Sequence, residues 1–274
     1  MLPANTLAGQ VALVTGGGTG LGKAIAIEMA RAGAAIVIAS RNETHRDAGV
    51  TAVEEVGGTA IGIGLDVRDA DAIAAAFDEA TAQLGPVSIL VNNAAGNFPV
   101  PAENLSAGGW RAVVGIILDG TFLCSTEFAR RRIAAEADGA ILNIAATYAW
   151  TGGPGTAHSA AAKAGVVNLT QSLAVEWAPV GIRVNGLAPG LFPHEDMPEH
   201  MAKHRAADIA QRDGSVPAGR VGRLHELGWT AAWMCSPFAA YLTGHTLVLD
   251  GANWLRRSLV MPEFVPVHEQ FPSL

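Results

Sequence analysis

The sequence predicts an α/β fold in which helices cover both faces of a single doubly wound parallel sheet. Short apolar runs without a polar face alternate with longer stretches of helical periodicity along most of the chain. Such runs are typical of parallel strands that are buried on both sides. The length of 274 residues suits one domain of this kind. A hydrophobic share of 50%, with 16% charged residues, provides for a large core.

The alternation predicts the elements in chain order. Strands are expected at the short apolar runs Val11–Thr15, Ala35–Ala39, Ile61–Leu65, Val87–Asn92, Ile141–Ala145, Arg183–Leu187 and Thr246–Leu249. Helices are expected where apolar residues recur every three or four positions, at Leu21–Ala32, His45–Val56, Ala70–Gln83, Ala157–Trp177 and His225–Met234. Because crossovers between parallel strands are right-handed, this order winds helices onto both faces of the sheet.

Residues 1–274 are expected to form one domain, with two departures from the alternation. The stretch at about 190–219 holds three prolines and several charges, with a plausible helical piece at Glu199–Gln211. A long excursion inside a compact domain is typical of a substrate loop. The tail from about residue 252 contains aromatic residues and prolines, and we expect it to pack on a neighbouring surface, such as another subunit.

Composition argues against several kinds of protein. A net charge of −7 argues against a nucleic-acid-binding surface, which needs clustered Lys and Arg. Cys124 and Cys235 lie far apart without metal-ligand spacing, so we expect reduced thiols in a cytoplasmic protein and no metal site. The first residues lack a basic region followed by an apolar run, and polar residues interrupt every long apolar window. The sequence therefore predicts neither a signal peptide nor a membrane span.

A glycine-rich segment joins the first strand to the first helix. Its sequence is Gly16-Gly17-Gly18-Thr19-Gly20-Leu21-Gly22. Glycines let the backbone approach a diphosphate, and a helix N-terminus supplies free N–H groups with partial positive charge. In this context the spacing predicts a dinucleotide site of the Rossmann fold. Its contacts are expected at Gly16, Thr19, Gly20, Leu21 and Gly22.

The end of the second strand indicates the choice of cofactor. An acidic residue here would bind the ribose 2′-hydroxyl of NAD. This chain instead has Ser40 and Arg41, and its first carboxylate is Glu43. The guanidinium of Arg41 can bind a 2′-phosphate with two hydrogen bonds, and Ser40 can add a hydroxyl. We therefore predict NADPH as the cofactor, with possible help from Lys23.

The segment Asn143–Gly165 consists of a strand end, a Gly/Pro-rich loop and a helix that carries Lys163. With the Thr-Gly-x-x-x-Gly-x-Gly loop, this layout resembles the short-chain dehydrogenase/reductase family over about residues 8–251. The resemblance implies a tyrosine four residues before the lysine, which acts as the acid that protonates a carbonyl oxygen. It also implies a serine 17 residues before the lysine. This chain has Ser159 and Ala146 at those positions.

Other family motifs imply further cofactor contacts. The resemblance assigns Lys163 to the nicotinamide ribose, where its charge also lowers the pKa of a nearby hydroxyl. The remaining contacts that it implies are Asp66 and Val67 at the adenine ring, Asn93, Ala94 and Gly96 in the segment after the fourth strand, and Pro189 and Gly190 at the nicotinamide amide.

Two hydroxyls are candidates for the partner of Lys163. Ser159 is one, although a serine is a far weaker acid than a phenol. Tyr148, 15 residues before the lysine, is the other. A tyrosine at this earlier position, with serine at the usual one, resembles the mitochondrial type of 2,4-dienoyl-CoA reductase. The same type is resembled by the added alanine in Asn92-Asn93-Ala94-Ala95-Gly96, where the family has Asn-Asn-Ala-Gly, and by the pair Asn97-Phe98. This branch implies NADPH-dependent reduction of a conjugated acyl-CoA in fatty acid β-oxidation.

Two residues resemble the peroxisomal type of the same branch instead. Asp119 stands where the mitochondrial type has an asparagine that is a proposed hydrogen-bond donor. An ionised carboxylate cannot donate, so Asp119 is either protonated or holds a water that carries the proton. Binding of the Asp119 side chain to backbone at a helix kink is a third interpretation. For His158, a polar residue at a helix start is the simpler interpretation.

Two alternative functions remain open. The chain could reduce another ketone or enone, with Tyr148 or Ser159 used differently. It could also bind a nucleotide without catalysis, although Lys163 and Arg41 argue against this. The enoyl-thioester reductase branch has a tyrosine seven residues before the lysine, and Thr156 at that position argues against it. The family is usually tetrameric, so we expect a homo-oligomer.

Overall fold

The computed structural model describes residues 2–196, residues 216–255 and Glu269. It contains a seven-stranded parallel sheet in the order β3-β2-β1-β4-β5-β6-β7. The strands are β1 (Val11–Thr15), β2 (Ala35–Ser40), β3 (Ala60–Gly64), β4 (Ile89–Asn92), β5 (Gly139–Ile144), β6 (Ile182–Pro189) and β7 (Thr246–Leu249). The strand order reverses between β1 and β4, and nucleotides bind at such a switch point, at the carboxyl ends of the strands. The predicted fold class is confirmed.

The helices cover both faces of the sheet. They are α1 (Gly20–Arg31), α2 (Glu43–Glu54), α3 (Ala70–Leu84), α4 (Ala107–Val114), α5 (Gly120–Ala134), α6 (Tyr148–Thr151), α7 (Ala157–Trp177) and α8 (Leu224–Cys235). A π-helical turn, Gly115–Asp119, joins α4 to α5. Three of these helices, α4, α5 and α6, were not predicted from the sequence. The predicted helix at Glu199–Gln211 and most of the predicted tail lie outside the described residues.

Strand β1 shows why the central strands lack a polar face. All five of its residues are buried. Ala12 and Val14 pack into the apolar layer on one side of the sheet. Val11 and Leu13 pack into the layer on the other side. Because successive side chains of a strand point to opposite faces, a strand between two helical layers needs apolar residues at every position.

The helix that runs without a break through Ala107–Ala134 bears on the predicted absence of a membrane span. By length and composition alone, this 28-residue helix could cross a membrane. Half of its most apolar window is buried inside the fold, where Val113 and Ile117 pack against Ala162 and Val166 of α7. Burial of this kind is also typical of a core helix, so the length and composition of the helix are weak evidence for a membrane span.

Candidate active site

The glycine-rich loop lies close against the end of β4. A Cβ on Gly22 would come within 2.4 Å of both Asn93 Nδ2 and Gly16 O. Gly16 has a φ of +64°, which side-chain-bearing residues rarely adopt. Asn93 Nδ2 donates to the carbonyls of Thr15 and Gly16 at 2.9 and 3.1 Å. Asn93 therefore fixes the loop in the tight turn that a diphosphate requires.

Thr15 is a structural residue of this site that the sequence analysis missed. Its side chain is buried at the end of β1. Its hydroxyl oxygen accepts hydrogen bonds from the backbone N–H groups of Asn93 and Ala94, both at 3.0 Å. The hydroxyl itself donates to Val91 O at 3.2 Å. A threonine at a strand end gives no signal of such a role in sequence, because the partners lie more than 70 positions away.

A cavity of about 650 Å³ opens at the carboxyl ends of β1, β2 and β4. Its size and position suit a dinucleotide. Ten of the predicted cofactor contacts line it, namely Gly16, Thr19, Gly20, Leu21, Ser40, Arg41, Asp66, Val67, Asn93 and Ala94. The hydrogen-bond donors among these ten residues include backbone N–H groups, hydroxyls and a guanidinium, which are suited to binding phosphate groups and ribose.

An acidic side chain lies at the N-terminus of α1. The carboxylate of Asp196 accepts a hydrogen bond from Gly20 N–H at 2.8 Å. The same carboxylate pairs with Lys23 Nζ at 2.9 Å. The ring of His194 packs closely against Gly20. A Cβ added to that glycine would lie 2.9 Å from His194 Cε1. The start of the predicted substrate loop therefore contacts the phosphate-binding turn directly.

Two predicted catalytic hydroxyls contact each other. Tyr148 begins the short helix α6 just beyond the end of β5, and Ser159 lies in the first turn of α7. Their hydroxyl oxygens are 3.1 Å apart, and either can be the donor. Ser159 is buried and Tyr148 is partly exposed, so the phenol can reach a substrate while the serine hydroxyl supports it.

Lys163 lies one helical turn beyond Ser159 and is buried, with 6% of its surface exposed. Its ammonium group donates a short hydrogen bond to the carbonyl of Ile144, at the end of β5. Burial lowers the pKa of Lys163 to about 8, because a low-dielectric environment disfavours the charged form. The lysine therefore titrates near neutral pH, as a group with a catalytic role often does.

A chain of buried amides and hydroxyls lies behind this pair. Asn92 Nδ2 donates to Ser125 Oγ and to Asn143 Oδ1, both at 2.9 Å. Asn143 Nδ2 donates in turn to Thr170 Oγ1 at 2.9 Å. The chain links β4, α5, β5 and α7. Because satisfied buried networks are rigid, it fixes α7, with the predicted catalytic residues Ser159 and Lys163, relative to the sheet.

Asp119 occupies a different environment from the other predicted catalytic residues. It ends the π-helical turn and is exposed, whereas Ile117 is buried against α7. In the part of the chain that the structure describes, no hydrogen bond or ion pair joins Asp119 to Tyr148, Ser159 or Lys163. The catalytic role of Asp119 stays a prediction that the described contacts do not support.

His158 lies at the start of α7, as the simpler interpretation had it, and is fully buried. Its ring meets the ring of Phe98 edge to face, with 4.7 Å between the ring centroids. Burial lowers its pKa, so the imidazole is neutral at pH 7. His158 therefore adds no positive charge beside Ser159.

The last predicted cofactor contacts lie at the end of β6. Gly190 N–H donates to Leu249 O at 2.9 Å, and a Cβ on Gly190 would come within 2.4 Å of Asp250 Cβ. Beyond β7, the ring of Trp254 reaches Trp150 of α6, with 5.6 Å between the ring centroids. The two tryptophans bridge from the end of β5 to the end of β7. Both rings are partly exposed to solvent.

Comparison with known proteins places the chain among oxidoreductases. A family described as Enoyl-(Acyl carrier protein) reductase matches residues 16–252. A probable 2,4-dienoyl-CoA reductase [(2E)-enoyl-CoA-producing] of Bacillus subtilis is 41% identical over 90% of this chain and 97% of its own length. A crystal structure of a short chain dehydrogenase from Bacillus anthracis covers 91% of this chain and 98% of its own, with 40% identity and a TM-score of 0.82. A gluconate 5-dehydrogenase from Burkholderia cenocepacia, in complex with NADP and tartrate, is 35% identical, has a TM-score of 0.84, and covers 92% and 97% of the two chains.

Proposed function

This chain belongs to the short-chain dehydrogenase/reductase family, and we propose that within it the protein reduces conjugated acyl-CoA thioesters of the 2,4-dienoyl-CoA type with NADPH. The observation that carries this proposal is the 3.1 Å contact between the hydroxyls of Tyr148 and Ser159. The contact gives the Tyr148 phenol a hydroxyl partner one helical turn before Lys163, although the usual tyrosine position is a serine. The relative from Bacillus subtilis that bears the name of this activity supports the same assignment.

The chemistry of a dienoyl thioester explains a displaced tyrosine. When bound, the nicotinamide would supply a hydride to a carbon remote from the carbonyl, so that negative charge would develop on the thioester oxygen. The site must therefore donate a hydrogen bond to that oxygen, instead of protonating an oxygen on the carbon that receives the hydride, as carbonyl reduction requires. Tyr148 is the donor, and Ser159 donates to the phenol oxygen in turn. A proton from solvent water then reaches the dienolate carbon to complete the reduction.

Lys163 has two functions in this proposal. The ammonium charge of Lys163 stabilises negative charge that develops near the Tyr148 phenol. The same ammonium group binds the nicotinamide ribose. The hydrogen bond to Ile144 O fixes its position at the end of β5. Its buried position makes the charge effective, because a low dielectric strengthens electrostatic interactions.

Side-by-side assays of candidate substrates test the activity. NADPH oxidation would be measured with 2,4-hexadienoyl-CoA, a saturated 3-ketoacyl-CoA and a 2-enoyl-CoA. Turnover of the dienoyl thioester alone is the expected result. Turnover of the ketoacyl-CoA alone would replace the proposal with carbonyl reduction. If NADPH binds but none of the three substrates reacts, the protein does not have this activity.

Arg41 determines the preference for NADPH in this proposal. It lines the cofactor cavity together with Ser40, where its guanidinium can bind a 2′-phosphate. We expect Arg41→Ala to weaken NADPH binding about tenfold or more, a loss of ~1.4 kcal/mol, with little change for NADH. Fluorescence titration with both cofactors measures this. An unchanged ratio of the two dissociation constants would contradict the assignment.

We propose in addition that the protein is a homo-oligomer. Several large apolar side chains on the long helices are exposed in the single chain, including Trp110, Phe122 and Val175. Exposed apolar surface of this kind is typical of an interface between subunits. A monomeric mass in light scattering at micromolar concentration would overturn this proposal.

A further inference from the structure

An ion-pair cluster at the edge of the cofactor cavity joins Asp66 to Arg68, a residue that has been given no role so far. Arg68 Nε donates to Asp66 Oδ1 at 2.9 Å, and its Nη2 donates to Oδ2 at 2.5 Å. Arg68 N–H adds a third bond to Oδ1 at 3.1 Å. Two parallel bonds from a guanidinium to a carboxylate form the strongest common ion-pair geometry. These bonds hold the pKa of Asp66 at about 2, so its carboxylate is charged at neutral pH.

Arg41 also lies near this carboxylate. Arg41 Nη1 lies 3.8 Å from Asp66 Oδ2. The Arg41 side chain is 60% exposed and makes no other ion pair with a described residue. Arg46 Nη1 donates to the carbonyls of Ser40 and Arg41 at 3.0 and 3.1 Å. The backbone at the end of β2 is therefore fixed, while the guanidinium of Arg41 is held only by a long contact with Asp66.

This arrangement has an electrostatic consequence for a bound 2′-phosphate. A phosphate beside Ser40 and Arg41 would share the cavity with the carboxylate of Asp66, and two like charges at short range repel. An uncompensated Asp66 would also attract Arg41 away from the phosphate. The bidentate pair with Arg68 reduces both effects, because it supplies Asp66 with a full positive charge and two donors.

We propose that Arg68 is a specificity-determining residue that neutralises Asp66 and so allows Arg41 to bind a 2′-phosphate. This inference rests on the proposed use of NADPH. Arg68 acts through Asp66, since it is the Asp66 side chain and not that of Arg68 that lines the cavity. It is therefore a positioning residue, and it affects the choice between NADPH and NADH.

The substitution Arg68→Ala tests the proposal. We expect the dissociation constant for NADPH to rise about fivefold relative to that for NADH, a modest effect because Asp66 and Arg68 are partly exposed and screened by solvent. Asp66 is expected to contact the adenine ring, which both cofactors carry. The ratio of the two constants therefore isolates the effect on the 2′-phosphate.

A second substitution separates the proposed mechanism from a direct contact. In the Arg68→Ala background, Asp66→Asn removes the uncompensated charge, and we expect it to restore most of the lost NADPH preference. No restoration would mean that Arg68 binds the phosphate directly, and an unchanged ratio in Arg68→Ala would mean that it has no role. Either result would overturn the proposal.

A matched control accounts for the change in overall charge. Arg130 lies near the C-terminal end of α5 in an exposed pair with Glu127. Helices that connect parallel strands run antiparallel to them, so Arg130 lies toward the sheet edge opposite the cavity. We expect Arg130→Ala to leave the ratio unchanged. If the unsubstituted protein binds NADH and not NADPH, the proposed cofactor fails first, which separates that failure from a failure of the role of Arg68.

Discussion

Replacing Tyr148 by phenylalanine is expected to lower kcat for a dienoyl-CoA about tenfold or more, a loss of at least ~1.4 kcal/mol of transition-state stabilisation. The substitution removes the hydroxyl that contacts Ser159 and keeps the ring. The effect should fall on kcat and kcat/KM together, because the phenol contributes most when charge develops on the thioester oxygen. Steady-state kinetics with NADPH at saturation measures this.

Ser159→Ala is the matched comparison for this result. It removes the hydroxyl that supports the phenol and leaves the phenol in place. We expect a smaller loss, of about threefold, consistent with one neutral hydrogen bond. If Ser159→Ala abolishes turnover while Tyr148→Phe leaves it unchanged, the assignment of Tyr148 as the donor is wrong and Ser159 is the catalytic hydroxyl.

Replacing Lys163 by methionine is expected to lower kcat on the order of 100-fold, or ~2.7 kcal/mol. The substitution removes the charge beside the catalytic hydroxyls and a proposed ribose contact, so the dissociation constant for NADPH should also rise. The variant should remain folded, because methionine fills a similar buried volume without a charge. Kinetics, cofactor titration and thermal unfolding together distinguish this result from a misfolded protein.

The pKa of Lys163 adds a pH dependence to the same prediction. Because burial lowers this pKa to about 8, the ammonium charge is lost as the pH rises through that value, and kcat should fall with it. The unfolded chain holds this proton up to about pH 10.4. Between pH 8 and that value the unfolded state binds more protons, so this group makes folding more favourable as the pH rises. The stability of Lys163→Met should lack this increase.

The central strands and the glycine-rich turn could be predicted from the sequence because local rules determine them. β1 is apolar at every position since helices cover both of its sides. The turn at Gly16 needs a positive φ that few other residues adopt. These constraints act on neighbouring residues, so they leave a pattern in the sequence.

The helix α4 escaped sequence analysis for a physical reason. It contains two consecutive glycines, Gly108 and Gly109, which disfavour a helix. It forms because Val113 packs against α7, together with Ile117 of the following turn. Tertiary packing of this kind outweighs intrinsic propensity, and a single sequence does not show which partner face will be present.

Asp119 shows where a resemblance in sequence does not determine the direction of a side chain. Its assignment rested on its place in the family pattern. In the structure Asp119 ends a π-helical turn and is exposed, whereas Ile117 of the same turn packs against α7. The Tyr148–Ser159 contact was predictable in outline, since both residues flank the same loop, whereas the amide chain behind it required the three-dimensional structure.

The hydrogen bond from Gly20 to Asp196 makes cofactor binding an exchange of one anion for another. A diphosphate that uses the same N–H group must displace the carboxylate, which then returns to water. The affinity for a dinucleotide at this turn would therefore be a difference between two binding free energies, and weakening the internal anion would raise it. Asp196 lies six residues beyond Gly190, so the carboxylate that competes for the turn belongs to the segment that follows β6.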